Sequence, residues 1–192
     1  AAWVNSETVR FNNLTVDADV ILANATIDGL GSDVAVIEIT GESWINGDFY
    51  NLSNGPDPSM ASQLYVQGSL TFNGDVIQEA GANVYIGSLL SSPSSVATDV
   101  TFIQDFSNAG ILTVGQGGSG QQHSITVGSS TSVGTLSNSG SFAASPSSGR
   151  VTLDAQLNNS GGLLIESQFV LDATFSANHV SSGVISLLGD NA

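Results

Sequence analysis

The stretch Val151-Thr152-Leu153-Asp154-Ala155-Gln156-Leu157-Asn158-Asn159-Ser160-Gly161-Gly162-Leu163-Leu164-Ile165 decides how this chain is read. Val151 and Leu153 alternate with polar residues, a breaker of Asn, Ser and Gly follows Leu157, and Leu163 and Ile165 resume the alternation. Period-two alternation bounded by such breakers is a strand signal and does not fit the helical period. The breaker itself recurs: Phe106-Ser107-Asn108-Ala109-Gly110 and Leu136-Ser137-Asn138-Ser139-Gly140 share the order apolar, Ser or Asn, Asn, small, Gly with Leu157–Gly161. A shorter relative stands at Ile45-Asn46-Gly47-Asp48-Phe49 and at Phe72-Asn73-Gly74-Asp75-Val76.

Outward from this stretch the same alternation marks Val9 and Phe11, Leu14 and Val16, Val20 and Leu22, Ile37 and Ile39, Leu64 and Val66, and Leu70 and Phe72. It continues at Val84 and Ile86, Ile125 and Val127, and Val184 and Ser186. One helix-compatible stretch, Pro56–Gln63, is too short to form a stable element. The chain is therefore expected to be all-β, with residues 1–192 as a single repeat domain. The asparagines at 24, 46, 73, 108, 138 and 159 lie roughly 20 to 35 residues apart, the interval of stacked repeats. Asn and Gly accept the left-handed backbone region at least cost, so each breaker is expected to be a left-handed corner between strands. Stacked corners would let the Asn amides pair along the stack. The repetition favours a β-solenoid; the alternative is a β-sandwich or jelly roll whose hairpins turn at Asn-Gly.

Charge narrows the functions open to such a chain. Seventeen Asp and Glu stand against two cations, Arg10 and Arg150, for a formal net charge of −15. Nucleic acid needs clustered cations to displace its counterions, and anionic membrane surfaces need the same, so neither is an expected partner. No apolar run is long enough to cross a bilayer as a helix. With 41% hydrophobic residues the chain can nonetheless bury a core. There is no cysteine, which removes disulfides and thiolate chemistry. The opening Ala1-Ala2-Trp3, without methionine, fits a mature secreted protein, and an extracellular or cell-surface location is expected.

The strand followed by Leu-x-Asn-x-Gly and a further short strand, in residues 127–142, 151–165 and less closely 64–76, resembles the parallel β-helix repeats of secreted bacterial adhesins. These are autotransporter passengers and filamentous-haemagglutinin-type exoproteins; phage tail spikes share the motif. The resemblance covers about half the chain. It implies a right-handed parallel β-helix and a structural or adhesive role, and it brings no catalytic residues. Members of that group are usually far longer and more regular.

Candidate sites follow from aligned repeats. Val151–Leu157 and Phe169–Phe175 align residue by residue, with Asp154 matching Asp172, and Leu14–Val20 aligns Asp17 with both. If stacked in register, Asp154 and Asp172 would repel each other unless a cation or proton intervened, and Ca²⁺ suits oxygen ligands of this kind. Asp17, Asp19, Asp154 and Asp172 are the candidate cation ligands; the plainer reading is solvated carboxylates, and neither an EF-hand nor a nonapeptide calcium repeat is present. Glycoside cleavage is disfavoured, because repetition alone explains the recurrent Asp and an anionic polysaccharide would be repelled. His123 and His179 are far apart and read as surface residues, no Gly-x-Ser-x-Gly elbow is present, and Gln116–Gln121 lacks a phosphate-binding lysine. Glycosylation sequons at Asn13, Asn24, Asn51 and Asn158 match the frequency the composition alone produces.

The expectation is therefore a non-enzymatic, secreted structural subunit that self-associates into a filament, sheath or surface layer. The alternative is an adhesin or phage tail-type module recognising glycans, with Trp3, Trp44, Tyr50 and Tyr65 available to stack on sugar rings.

Overall fold

The computed structural model describes residues 2–4, 8–23, 25–26, 32–53, 61–89, 96–115, 120–146, 149–172 and 178–188; for 2–4, 25–26 and 32–33 backbone pairing alone is described. Asn24, Phe175, most of the stretch 56–63 and residues 116–119 lie outside these ranges. Every described element is a strand. Eight of them form one sheet in chain order: Ala2–Val4, Val20–Ala23, Phe49–Leu52, Val76–Gln78, Phe106–Asn108, Thr135–Asn138, Gln156–Asn159 and Val180–Ser181. Each neighbouring pair in it is parallel.

The second sheet has fourteen strands in two limbs. Strands Val36–Ile45 and Gln63–Phe72 pair along their whole length and run through both limbs. Their first halves carry Thr8–Asn12 on one side and Asn83–Ile86, Ile111–Val114, Ser141–Ala144, Gly162–Ile165 and Val184–Leu187 on the other. Their second halves carry Thr15–Val16 and, opposite, Thr98–Phe102, Gln122–Ser129, Arg150–Asp154 and Gln168–Asp172. Gly41 and Gly68, paired in register where the halves meet, have φ of 76° and 108°, which breaks the pleat and lets the strand turn. The architecture is all-β with parallel sheets. Antiparallel pairing, which hairpins of a sandwich would require, is confined among the described residues to Ala25–Thr26 with Ser32–Asp33 and Gln122–Ser129 with Ser132–Val133.

Register partners reveal the repeat. Val20 pairs with Phe49, Phe49 with Val76, Val76 with Phe106, Phe106 with Leu136 and Leu136 with Leu157, offsets of 21 to 30 residues. All six are buried and form one apolar column. The first limb adds Ile37, Leu64, Val84, Leu112, Phe142 and Leu163, and the second adds Leu70, Val100, Ile125 and Leu153. Burial of each such side chain contributes about 1.5–3 kcal/mol. Rings tie the two sheets together: Phe72 stacks on Phe102 at 5.1 Å and Phe102 on Phe106 at 4.2 Å, with Phe49 tilted against Phe72 at 5.2 Å. In strands such as Thr135–Asn138, Ser141–Ala144 and Gly162–Ile165 one face is buried and the other meets water, so the alternation in the sequence stays visible.

The corners differ from expectation. Asn13 is the one described non-glycine with positive φ, and Gly47, Gly74, Gly110, Gly140 and Gly161 are absent from the positive-φ glycines. What these positions need is absence of a side chain. A Cβ on Gly110, Gly140, Gly161 or Gly183 would lie 2.1 Å from the carbonyl oxygen of Ala82, Gly110, Gly140 or Gly161 respectively. The glycines stack backbone on backbone, closer than any Cβ allows.

The asparagines divide between two ladders. Asn108, Asn138 and Asn159 are fully buried, and each Nδ2 donates onward, to Asn138 Oδ1 at 2.6 Å, to Asn159 Oδ1 at 2.6 Å and to Ser181 Oγ at 3.1 Å. Register extends this inner column back through Gln78 to Asn51. Asn46 and Asn73 belong instead to an exposed ladder, in which Asn73 Nδ2 donates to Asn46 Oδ1 and Asn46 Nδ2 to Asp17 Oδ1, both at 2.5 Å. The buried Nδ2 groups of Asn108 and Asn138 also donate to the carbonyls of Ser141 and Gly162, which offsets part of the desolvation penalty, whereas Gln78 Oε1 and Asn108 Oδ1 have no hydrogen-bond partner among the described residues. Asn51, one of the sequons, is fully buried with Nδ2 donating to the Asn83 carbonyl and cannot carry a glycan in this fold.

Candidate functional site

Asp154 and Asp172 end the neighbouring parallel strands Arg150–Asp154 and Gln168–Asp172 and are register partners. The aligned repeats do place these two carboxylates side by side. Asp17 and Asp19 are elsewhere, on the corner between Thr15–Val16 and Val20–Ala23. Along the second limb, Thr15, Trp44, Thr71, Thr101, Thr126 and Asp154 share one outward register, so Thr15 and not Asp17 is the counterpart of Asp154. The alignment is shifted by two residues because the early corners are longer. Four residues, Val16 to Asp19, separate Thr15 from Val20, whereas Ala155 and Gln156 alone separate Asp154 from Leu157. Among the described residues no group of three or more His, Asp or Glu is placed around a common centre.

Asp19 belongs to a second set of carboxylates. Asp19, Asp48, Asp75 and Asp105 each directly precede a residue of the buried column that holds Val20, Phe49, Val76 and Phe106. Asp19 Oδ1 accepts the Asp48 amide at 3.0 Å, Asp48 Oδ1 the Asp75 amide at 2.9 Å, and Asp105 Oδ1 the Thr135 amide at 2.7 Å. These carboxylates thus close the corner of the following repeat by charge-assisted hydrogen bonds. The Tyr50 hydroxyl donates to Asp48 Oδ2 at 3.1 Å. That bond, with the charges of Asp48, Asp19 and Asp75 and some burial, holds the Tyr50 phenol above its usual range.

Two features escaped the reading of the sequence. Glu38 is 3% exposed and paired with Arg10, which is largely exposed above it. The like-patterned triplets Val9-Arg10-Phe11 and Ile37-Glu38-Ile39 carried the signal, since their central residues are register partners. Next along that outer column, Tyr65 stacks on Tyr85 at 4.6 Å and donates to Gln63 Oε1 at 2.8 Å. Burial first, then Tyr85 and Glu38, push the Tyr65 phenol up to about 12. His123, expected at the surface, is 2% exposed, and neither ring nitrogen has a hydrogen-bond partner among the described residues. Its ring fills the space above Gly87, where a Cβ would lie 2.3 Å from Cε1. Burial lowers its pKa, with Asp99 opposing. His179 is exposed, as expected, and its Nδ1 accepts the Leu157 amide at 3.2 Å.

The last described strands are open. Ile185 and Leu187 are register partners of Leu163 and Ile165, which are 4% and 8% exposed, yet they themselves are 50% and 61% exposed. Val180, Val184 and Leu188 are also exposed. Of the four aromatics considered for sugar contact, Trp44 is 37% exposed, Tyr50 is half-buried and Tyr65 is buried; the side chain of Trp3 lies outside the described residues. No family model, curated protein or solved structure matches this chain.

Proposed function

We propose that the chain is an extracellular, non-enzymatic structural subunit, a right-handed parallel β-helix akin to secreted bacterial adhesin repeats, that self-assembles into a filament, sheath or surface layer. Support for the β-helix comes from parallel pairing between successive repeats at short, similar offsets through three sets of strands visited in a fixed order. The observation that carries assembly is the exposure of Ile185 and Leu187. They stand in columns that are buried one repeat earlier, on a strand that has no further neighbour among the described residues. A further layer placed there buries both side chains and completes the ladder, and a second copy supplies one through Val9 and Phe11, half-buried members of the same two columns at the opposite edge. Such a contact is heterologous and head-to-tail, the geometry that builds filaments.

Sedimentation of the 192-residue chain over a range of concentrations tests this. The expected result is concentration-dependent growth beyond a dimer that Ile185→Lys with Leu187→Lys abolishes, while the melting temperature barely changes because both residues are exposed. A chain that remains monomeric throughout overturns the assembly reading. Calcium enters only through the Asp154–Asp172 pair. If it bridges these carboxylates, added Ca²⁺ raises the melting temperature over chelator at fixed ionic strength, and coincident curves remove it.

A further inference from the structure

Among the corners that lead from the second limb into the eight-stranded sheet, one departs from the rest. Three residues lie between Ile45 and Phe49, between Phe72 and Val76, and between Phe102 and Phe106, but eight lie between Val127 and Leu136. The extra residues form an antiparallel hairpin, with Gly128 paired to Val133 and Ser129 to Ser132. Gly128 is required there: its φ is 113°, and a Cβ would lie 2.3 Å from the Ser132 carbonyl oxygen. The hairpin overhangs the outer face of the second limb and walls a cleft of about 180 Å³. The cleft floor is the outward column of Thr101, Thr126 and Asp154, and its other walls include Ile103, Ser129 and Ser132. In repeat proteins, insertions in individual repeats map to loops on one face, often the one that binds.

We propose that this cleft and the column leading to it bind a neutral oligosaccharide. The lining is rich in hydroxyls, which donate and accept as sugar hydroxyls do, and holds a single carboxylate, a further acceptor type for a sugar hydroxyl. Ile103 and Val133 offer aliphatic contact for the C–H face of a ring. The cleft is smaller than the several hundred Å³ of sites for drug-sized ligands, which suits one sugar unit at the end of a chain. The rest of the chain runs along Thr101 and Thr71 to Trp44, whose exposed indole lies in the same outward register. From Trp44 to Asp154 is four strand steps, about 19 Å, one step being close to the length of a pyranose unit in an extended glycan. Indole provides the stacking platform that the cleft itself lacks. Asp154 and the net charge of −15 disfavour acidic sugars. This reading is independent of self-assembly.

Saturation-transfer NMR and calorimetry with cellotetraose, maltotetraose, mannotetraose and tetragalacturonate test it. At least one neutral tetrasaccharide is expected to bind with a dissociation constant of about 1 mM. Ser130→Leu, at the exposed hairpin tip, fills the cleft mouth and abolishes binding; Trp44→Ala weakens it about tenfold. Both positions are exposed, so unchanged melting curves certify that the variants are folded. The proposal is overturned if no neutral tetrasaccharide binds at about 10 mM. It is equally overturned if either variant leaves binding unchanged, or if tetragalacturonate binds as well as the neutral chains.

Discussion

Asn138 donates to Asn159 Oδ1 and to the Gly162 carbonyl while its own Oδ1 accepts from Asn108, so truncating it orphans groups on both sides. Asn138→Leu is expected to destabilise by about 2–4 kcal/mol, read as a lowered midpoint in urea unfolding. Two neighbouring glycines separate close approach from ordinary exposure. Gly140→Ala drives a Cβ to 2.1 Å from the Gly110 oxygen, whereas at Gly162 the nearest atom is 4.0 Å away. The first substitution should cost about 3 kcal/mol or more and the second less than about 0.5 kcal/mol, measured side by side. Tyr50 should ionise above its usual pH in a phenolate absorbance titration, and Asp48→Asn should bring it back down by removing the bond and the charge. The Asn-x-Gly motif was legible in the sequence, but its cause was not. A left-handed corner and a backbone-to-backbone stack both select glycine, and only coordinates separate them.

Strands were read well because a single buried face preserves alternation, and Val151, Leu153, Leu163 and Ile165 fall where the pattern put them. The same pattern held a signal that was passed over. In His123-Ser124-Ile125-Thr126-Val127, alternation puts His123 on the inward side with Ile125 and Val127. A buried, unpartnered imidazole resists protonation, so the folded state takes up its proton at lower pH than the unfolded chain. Its contribution to stability is therefore intact above the ordinary value of 6.5 and is lost as pH falls from there through the lowered folded pKa. The charged group facing it is Asp99, on the strand Thr98–Phe102, which moderates the loss. Melting temperatures should fall on acidification below about 6.5, and His123→Leu should flatten that slope before the carboxylates begin to titrate. The corner carboxylates were misaligned for a related reason. Repeats of similar composition conceal a change in corner length, and Asp17 was matched to Asp154 when Thr15 is its counterpart.

Across the whole molecule, −15 charges and two arginines leave little scope for ion pairs between copies. Association through the Ile185–Leu187 edge should therefore strengthen with added salt, as screening shortens to about 8 Å at physiological ionic strength; sedimentation in low and high salt reads this, and weakening with salt would point to ion pairing instead. The short, even offsets of the ladder carry a kinetic consequence. Each parallel pairing closes a loop of 18 to 30 residues, however far along the chain it lies. Relative contact order is then about 0.09–0.16, low for an all-β chain, and growth from any formed layer repeats the same modest entropy loss. Folding should proceed like a zipper, with amide exchange slowest in the middle layers and fastest at the two edges. Pulled from its ends, the molecule should lengthen in a train of small releases, one pass of chain at a time, in place of a single rupture.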